Sequence, residues 1–325
     1  MKTNHALSIG ALLASVAAAG CANNSGSTSV ACAALGANTP TAPPQWPGTV
    51  FTIVMENHSR GEIIGNKAAA PFINDLVSKN AEAAGYHDSF VHPSEPNYIW
   101  MIAGENFGIL DDNDPGSHHL DSKSHLADQL EARGLTWKTY QESMGDPCGL
   151  TSHGRYAAKH NPFVYFDDVT GWDGTAFHPE ARCNAHVVDY TELDADIANK
   201  KLARYVFITP NLDNDMHDGS IAQGDAWLAN EIPKLMGTDA YKLGGVIFLL
   251  WDEGGGTPAG DDPAFIAISP NAVPGMVSQA DYDTSSYLKT VENILGVEEL
   301  PCDPAPAAVN SMTDLFTVAL TATGK

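Results

Sequence analysis

The sequence predicts an α/β domain built on a central, mostly parallel sheet, and three observations predict it. Residues 50–55, 204–208 and 245–251 are short, largely unbroken apolar and β-branched runs, the pattern of strands buried on both faces rather than the alternation of a half-exposed strand. Segments with helical spacing fall between such runs, as parallel crossovers require. Each run also ends in side chains able to bind a ligand: Glu56, Asn57 and His58 after the first, Asp213 to Asp218 after the second, Asp252 and Glu253 after the third. In open α/β sheets ligands sit beyond the carboxyl ends of the strands, where these residues fall.

Taken in order, residues 1–20 carry one lysine, an apolar run over 6–19 and a small-residue end, the layout of an export signal. That run is too short to cross a bilayer. Ala18-Ala19-Gly20-Cys21 is similar to a bacterial lipoprotein cleavage box, which makes Cys21 the lipidated first residue. Ala18 stands where a large aliphatic residue is usual, so plain secretion stays open too. Residues 21–47, rich in Ser, Thr, Ala and Pro, read as a flexible tether, and residues 48–325 as the catalytic domain. Within it, a helix is expected over 69–84, with Pro71 near its start and Gly85 closing it. A strand over 86–91 and a turn over 92–98 follow, the turn stiffened by Pro93 and Pro96 around Ser94. Helices are expected over 98–103, 126–133, 222–235 and 285–295, and further strands over 136–140 and 265–269. Residues 141–189 are too long for an ordinary connection and read as a functional excursion.

Forty acidic residues against seventeen basic ones give a net charge of −23, with no basic cluster. Such a chain is no partner for nucleic acid, because neutralising a phosphate backbone needs a basic face. It also repels anionic substrates at long range unless a cation in the site reverses the local sign. An exported protein meets an oxidising compartment, so its five cysteines read as disulfides: Cys148 with Cys183 and Cys32 with Cys302, Cys21 being reserved for lipid.

Any one acidic pair such as Asp252-Glu253 reads as a solvated turn. Recurrence at three strand ends favours a divalent ion, since neighbouring carboxylates repel unless a cation or a shared proton compensates, and hard oxygen ligands suit such an ion. Asp213 and His217 stand four apart and share a face if that segment is helical. His160 beside Lys159 reads equally as a phosphate contact or as surface. Ser94 is the candidate nucleophile, activated by metal rather than by imidazole; no Gly-x-Ser-x-Gly elbow surrounds it, and a helix-capping hydroxyl is the plain alternative.

Five motifs in one order, Glu56-Asn57-His58-Ser59, His92-Pro93-Ser94-Glu95-Pro96-Asn97-Tyr98, Lys159-His160-Asn161-Pro162-Phe163, Pro210 through Asp218, and Trp251-Asp252-Glu253-Gly254, together resemble the phosphoesterase family of secreted acid phosphatases and non-haemolytic phospholipases C. That family lies within the alkaline phosphatase superfamily. The resemblance implies an alkaline-phosphatase-like three-layer α/β/α domain. It implies one divalent ion held by Glu56, Asn57, Asp252 and Glu253, with Ser94 attacking phosphorus to give a phosphoserine. His160 and His217 then contact the phosphoryl group or protonate the leaving alkoxide, and Asn97, Lys159, Asp213 and Asp218 bind substrate. Family members usually carry a His where Thr284 stands here, which favours a single ion with Asp213 and His217 acting on substrate.

The expected activity is metal-dependent hydrolysis of a phosphate ester, of the acid phosphatase type. The short tail after Leu300, without the extra domains of the longer phospholipases, favours a phosphomonoesterase over a phospholipase C. The expected partners are a small phosphate ester or a phospholipid headgroup, and a membrane if Cys21 is acylated. A surface binding protein that keeps the fold without the chemistry is the rival reading, prompted by Thr284. Sulfatase chemistry is disfavoured, because Ser94-Glu95-Pro96-Asn97-Tyr98 lacks the arginine of the formylglycine motif.

Overall fold

The computed structural model describes residues 46–121, 124–178, 182–255, 262–300 and 309–320; the signal, nearly all of the tether, and Cys21, Cys32 and Cys302 lie outside the described residues. One sheet carries the fold. Its strands in chain order are β1 (Val50–Met55), β2 (Ala81–Ala83), β3 (Trp137–Gln141), β4 (Val187–Asp189), β5 (Tyr205–Thr209), β6 (Val246–Trp251), β7 (Phe265–Ile268) and β8 (Val277–Ser278). Across the sheet they lie β4-β3-β5-β1-β6-β7-β2-β8. β7 runs antiparallel to both of its neighbours, and the other pairings are parallel.

Every residue of β1, β5 and β6 is buried, and alternate side chains feed two separate cores, as the pleat requires. Val50, Val54, Phe207, Phe248 and Leu250 face the layer containing the helices Ser94–Ala103 and Thr284–Leu295. Phe51, Ile53, Val206, Ile247 and Leu249 face the layer containing Pro71–Lys79 and Ile221–Met236. The result is a three-layer α/β/α arrangement. Thr52, the one polar residue inside β1, bonds through Oγ1 with the Tyr287 hydroxyl at 2.7 Å, which also meets the Tyr205 hydroxyl at 3.0 Å. A buried hydroxyl is tolerated when it is paired in this way.

The expected helix over 69–84 stops at Lys79. Ala81, Glu82 and Ala83 instead form β2, fixed by pairing with β7 and β8 and by the ion pair of Glu82 with Arg60 at 2.5 Å. The strand expected over 86–91 reduces to one bridge, Tyr86 to Tyr282, and Phe90 takes a left-handed backbone with φ 54°. The helix expected from 98 begins at Ser94, because a proline inside the first turn, here Pro96, sacrifices no intrahelical hydrogen bond. Strands β4 and β8, of three and two residues, were not foreseen. Cys148 and Cys183 form a disulfide with Cα atoms 5.3 Å apart. Among the described residues no helix is long and apolar enough to cross a membrane.

Candidate active site

Three neighbouring strands deliver the acidic side chains to one edge. β5, β1 and β6 lie side by side, with Met55 in register with Trp251, and the backbone beyond them is stitched together. The Glu56 amide donates to Asp215 O at 2.9 Å and the Asp252 amide to Met55 O at 3.1 Å. Glu56 and Asp252 are fully buried there. Asn57 turns the chain out of β1 in the left-handed region, with φ 49°, which asparagine tolerates better than most residues, and its amide donates to Asp252 Oδ1 at 3.3 Å.

Ser94, 1% exposed, is the first residue of its helix and donates from Oγ to Glu56 Oε2 at 3.2 Å. A helix start carries unpaired amides and partial positive charge, so an anion placed here is favoured. His160 is buried with Nε2 3.2 Å from Glu56 Oε1 and Nδ1 3.4 Å from Asp215 Oδ2, its ring stacked on Tyr98 at 5.0 Å. Lys159 extends Nζ to Asp112 Oδ2 at 2.8 Å and to His217 Nε2 at 3.4 Å. His217 Nδ1 lies 2.8 Å from Asp218 Oδ1, and Arg155 donates from Nη1 to Asp218 Oδ2 at 2.8 Å.

The electrostatics are those of a cluster short of positive charge. Burial, then the fields of Asp252 and Asp215, push the Glu56 carboxyl well above its ordinary value. Burial and the adjacent Glu253 do the same to Asp252, and burial raises Asp215 to about 7. Burial, with Lys159 and His217 nearby, pushes the His160 imidazole down. For Lys159 burial opposes the charge, but the hydrogen bond to Asp112 and the field of Glu56 outweigh it and keep the ammonium above its usual range.

Glu56 Oε1, Asn57 Oδ1, Asn97 Oδ1 and Asp252 Oδ2 are buried and lack a hydrogen-bond partner among the described residues. All four are acceptors. Leaving one buried acceptor unpaired costs about 1–3 kcal/mol, and a set of them at one place is what a hard divalent cation satisfies. Glu56, His160 and His217 also present ligand atoms within 4.8 Å of one another, so the donor set fits an ion.

The structure therefore brings Glu56, Asn57, Ser94, Asp252 and His160 together, with Lys159, His217 and Asp218 linked beside them. Glu253 accepts through Oε2 from His92 Nδ1 at 2.5 Å and from Asn97 Nδ2 at 3.2 Å. Asp213 is placed differently from its expected partnership with His217: Oδ2 pairs with Arg155 Nε at 3.0 Å. Residues 211–218 form a tight turn rather than a helix, with the Asp218 amide on Leu212 O at 2.7 Å, so the four-residue spacing does not put Asp213 and His217 on one face. Asp215 is the buried acid of this turn, accepting the His217 amide at Oδ1 at 2.7 Å. Sequence reasoning gave no role to Asp215, His92 or Asp112; Asp215 and His92 lay within the motifs that carry the resemblance, and Asp112 offered no signal. Thr284 is buried at the start of its helix, 3.4 Å from the Tyr86 hydroxyl.

The fold is alkaline-phosphatase-like. Similarity to solved structures supports the fold: the phosphonate monoester hydrolase SpPMH from Silicibacter pomeroyi aligns with TM-score 0.55 at 12% identity over 86% of this chain and 78% of that one. A protein in the alkaline phosphatase superfamily from Vibrio parahaemolyticus aligns with TM-score 0.53 at 8% identity over 82% and 70%. The model of the Phosphoesterase family matches residues 66–298, and the chain belongs to that family. It is 32% identical over 250 residues to the phosphatidylinositol-3-phosphatase of Mycobacterium tuberculosis, covering 76% of this chain and 77% of that protein. It is 33% identical over 202 residues to an acid phosphatase of Aspergillus fumigatus, covering 59% of this chain but 42% of the fungal protein. The chain is thus a phosphoesterase, a hydrolase of phosphate esters.

Proposed function

We propose that this chain hydrolyses phosphate monoesters through a phosphoserine on Ser94, with one divalent ion held by Glu56, Asn57, Asp252 and Glu253. The observation that carries the reading is the Ser94 hydroxyl, 3.2 Å from Glu56 Oε2 at a helix start, beside buried oxygens that lack donors. When bound, the ion lowers the pKa of the hydroxyl and offsets charge on the phosphoryl oxygens. Ser94 Oγ passes its proton along its hydrogen bond to Glu56 Oε2 and forms the bond to phosphorus as the bond from phosphorus to the leaving oxygen breaks. Asp218 holds the His217 ring through Nδ1; once the Lys159 ammonium turns from Nε2 to the phosphoryl oxygens, protonated Nε2 gives its proton to the departing alkoxide. Water then attacks phosphorus and returns its proton to His217, and phosphate leaves as Ser94 Oγ takes its own proton back from Glu56. Lys159 and His160 steady the transferring group, where fixed charge and donors matter more than covalent chemistry. Asn97 and Asp218 orient it, and Asp213 acts through Arg155. The names of the mycobacterial and fungal relatives support a monoester, a lipid headgroup being one candidate.

Ser94→Ala is expected to lower nitrophenyl phosphate turnover by roughly 10⁴-fold or more. In acid-quenched wild-type protein, phosphate is expected on the peptide carrying Ser94. Retained turnover or phosphate on another residue contradicts the proposal. We further propose export by residues 1–20, a tether over 21–47, and lipid on Cys21, which labelled palmitate incorporation lost in Cys21→Ser checks.

A further inference from the structure

A second acidic cluster includes Glu95, the residue next to Ser94. Glu95 is fully buried, yet neither Oε1 nor Oε2 has a hydrogen-bond partner among the described residues. The Tyr165 hydroxyl beside it gives its proton to Asn113 O at 3.0 Å. A carboxyl group buried with both oxygens unpaired is expensive, and nothing in the proposed chemistry uses it. Glu95, Asp111 and His118 each present one ligand atom, and the three lie within 4.8 Å of one another. Asp111 is 53% exposed and His118 18%, so the cluster is reached by solvent through Asp111. Asp111 Oδ1 already accepts from Asn113 Nδ2 at 2.6 Å and lies 2.7 Å from His118 Nε2, a network that fixes the loop before any ion arrives.

We propose that Glu95, Asp111 and His118 form a second cation site, separate from the Ser94 centre, that takes a Zn2+-like ion. Two carboxylates and an imidazole are a ligand set of zinc type, with a fourth position left for water, whereas Ca2+ and Mg2+ prefer oxygen ligands throughout. In the ion-free protein burial raises the Glu95 carboxyl to about 9, so binding displaces its proton. The remaining acidic cluster, His125 with Asp128 and Asp168, is not equivalent, because Arg182 already bonds both aspartates. A bound ion ties the loop to the helix that starts at Ser94. That loop also holds Asp112, which accepts the Glu95 amide at 3.0 Å and the Lys159 ammonium at 2.8 Å. The site thereby braces Lys159.

The test is equilibrium dialysis of the full chain against Zn2+, with metal counted per protein. Asp252→Asn disables the Ser94 centre, and the protein is then expected to retain one equivalent that disappears on adding His118→Ala. Asp111→Asn, a change at an exposed carboxylate, serves the same purpose if the histidine variant fails to fold. Ca2+ at equal concentration is expected not to replace Zn2+. A Zn2+ count that ignores both His118 and Asp111 overturns the site, as does a site that takes Ca2+ in preference. Failure of the Ser94 mechanism alone leaves this count unchanged, so the two readings fail separately.

Discussion

The cluster around Glu56 and the cluster around His125 use the same residue types with opposite solutions. At His125 the imidazole Nε2 lies 3.2 Å from Asp168 Oδ1 and 3.5 Å from Asp128 Oδ2, and Arg182 bonds Asp128, Asp168 and Glu131 together. Its acids are partnered within the chain. Among the described residues no arginine pairs with Glu56 or Asp252, Lys159 is committed to Asp112, and buried oxygens of Glu56, Asn57, Asn97, Asp252 and Asp215 lack donors. Burial raises the Glu56 and Asp252 carboxyls, while Asp168, despite burial, is held below its usual range by His125 and Arg182. The acids around His125 are held by the chain's own cation, whereas those around Glu56 stand beside the Ser94 hydroxyl with oxygens left open.

The largest effect that sharpens this contrast is Asp252→Asn, which should remove the ion from the Ser94 centre and lower ester turnover by roughly 10³-fold or more. Arg182→Ala should leave turnover per folded molecule unchanged; metal analysis and initial rates on both variants decide the matter. Next in size, His217→Ala should cost about 10²- to 10⁴-fold in kcat, with less loss on esters whose leaving group needs no proton, such as nitrophenyl phosphate. An equal loss on alkyl and nitrophenyl esters removes His217 from proton transfer. In stability the order reverses. Arg182→Ala should cost about 2 kcal/mol, since its aspartate partners are partly exposed and screened, as urea titration will measure.

The smallest effect is one of sign. In chelated protein, Glu56, Asp252 and Asp215 keep protons that the unfolded chain has released above about pH 4, so stability should fall as pH rises toward 7, where Asp215 titrates. The slope should be near 1 kcal/mol per pH unit for each such group, and shallower in Asp252→Asn. The depressed Asp168 acts the other way: its contribution is present above its unfolded value and lost as acid titrates it. Melts of chelated protein between pH 5 and 7 that rise in stability toward 7 contradict the reading of the Glu56 cluster.

The strands that carry the site were legible because a strand buried on both faces must be apolar throughout, as Val246–Trp251 is, and because a polar break at its end is conspicuous. β2 was not legible: Ala-Glu-Ala has no strand preference of its own and becomes one only through β7 and β8. Ser94 was singled out, but its place at the first position of a helix was not foreseen, since two prolines read locally as a turn. The pairing of Asp213 with His217 rested on a helical spacing that the 211–218 turn does not have. The bonds of His92 to Glu253 and of Asp112 to Lys159 span 161 and 47 residues, and no local pattern announces contacts of that kind.

One measurement reaches the central claim directly: anomalous diffraction from crystals of the active protein loaded with Mn2+. The account predicts a peak bonded to the Glu56 and Asp252 carboxylates next to Ser94 Oγ. Crystals that turn over phosphate ester with no peak at that place contradict it.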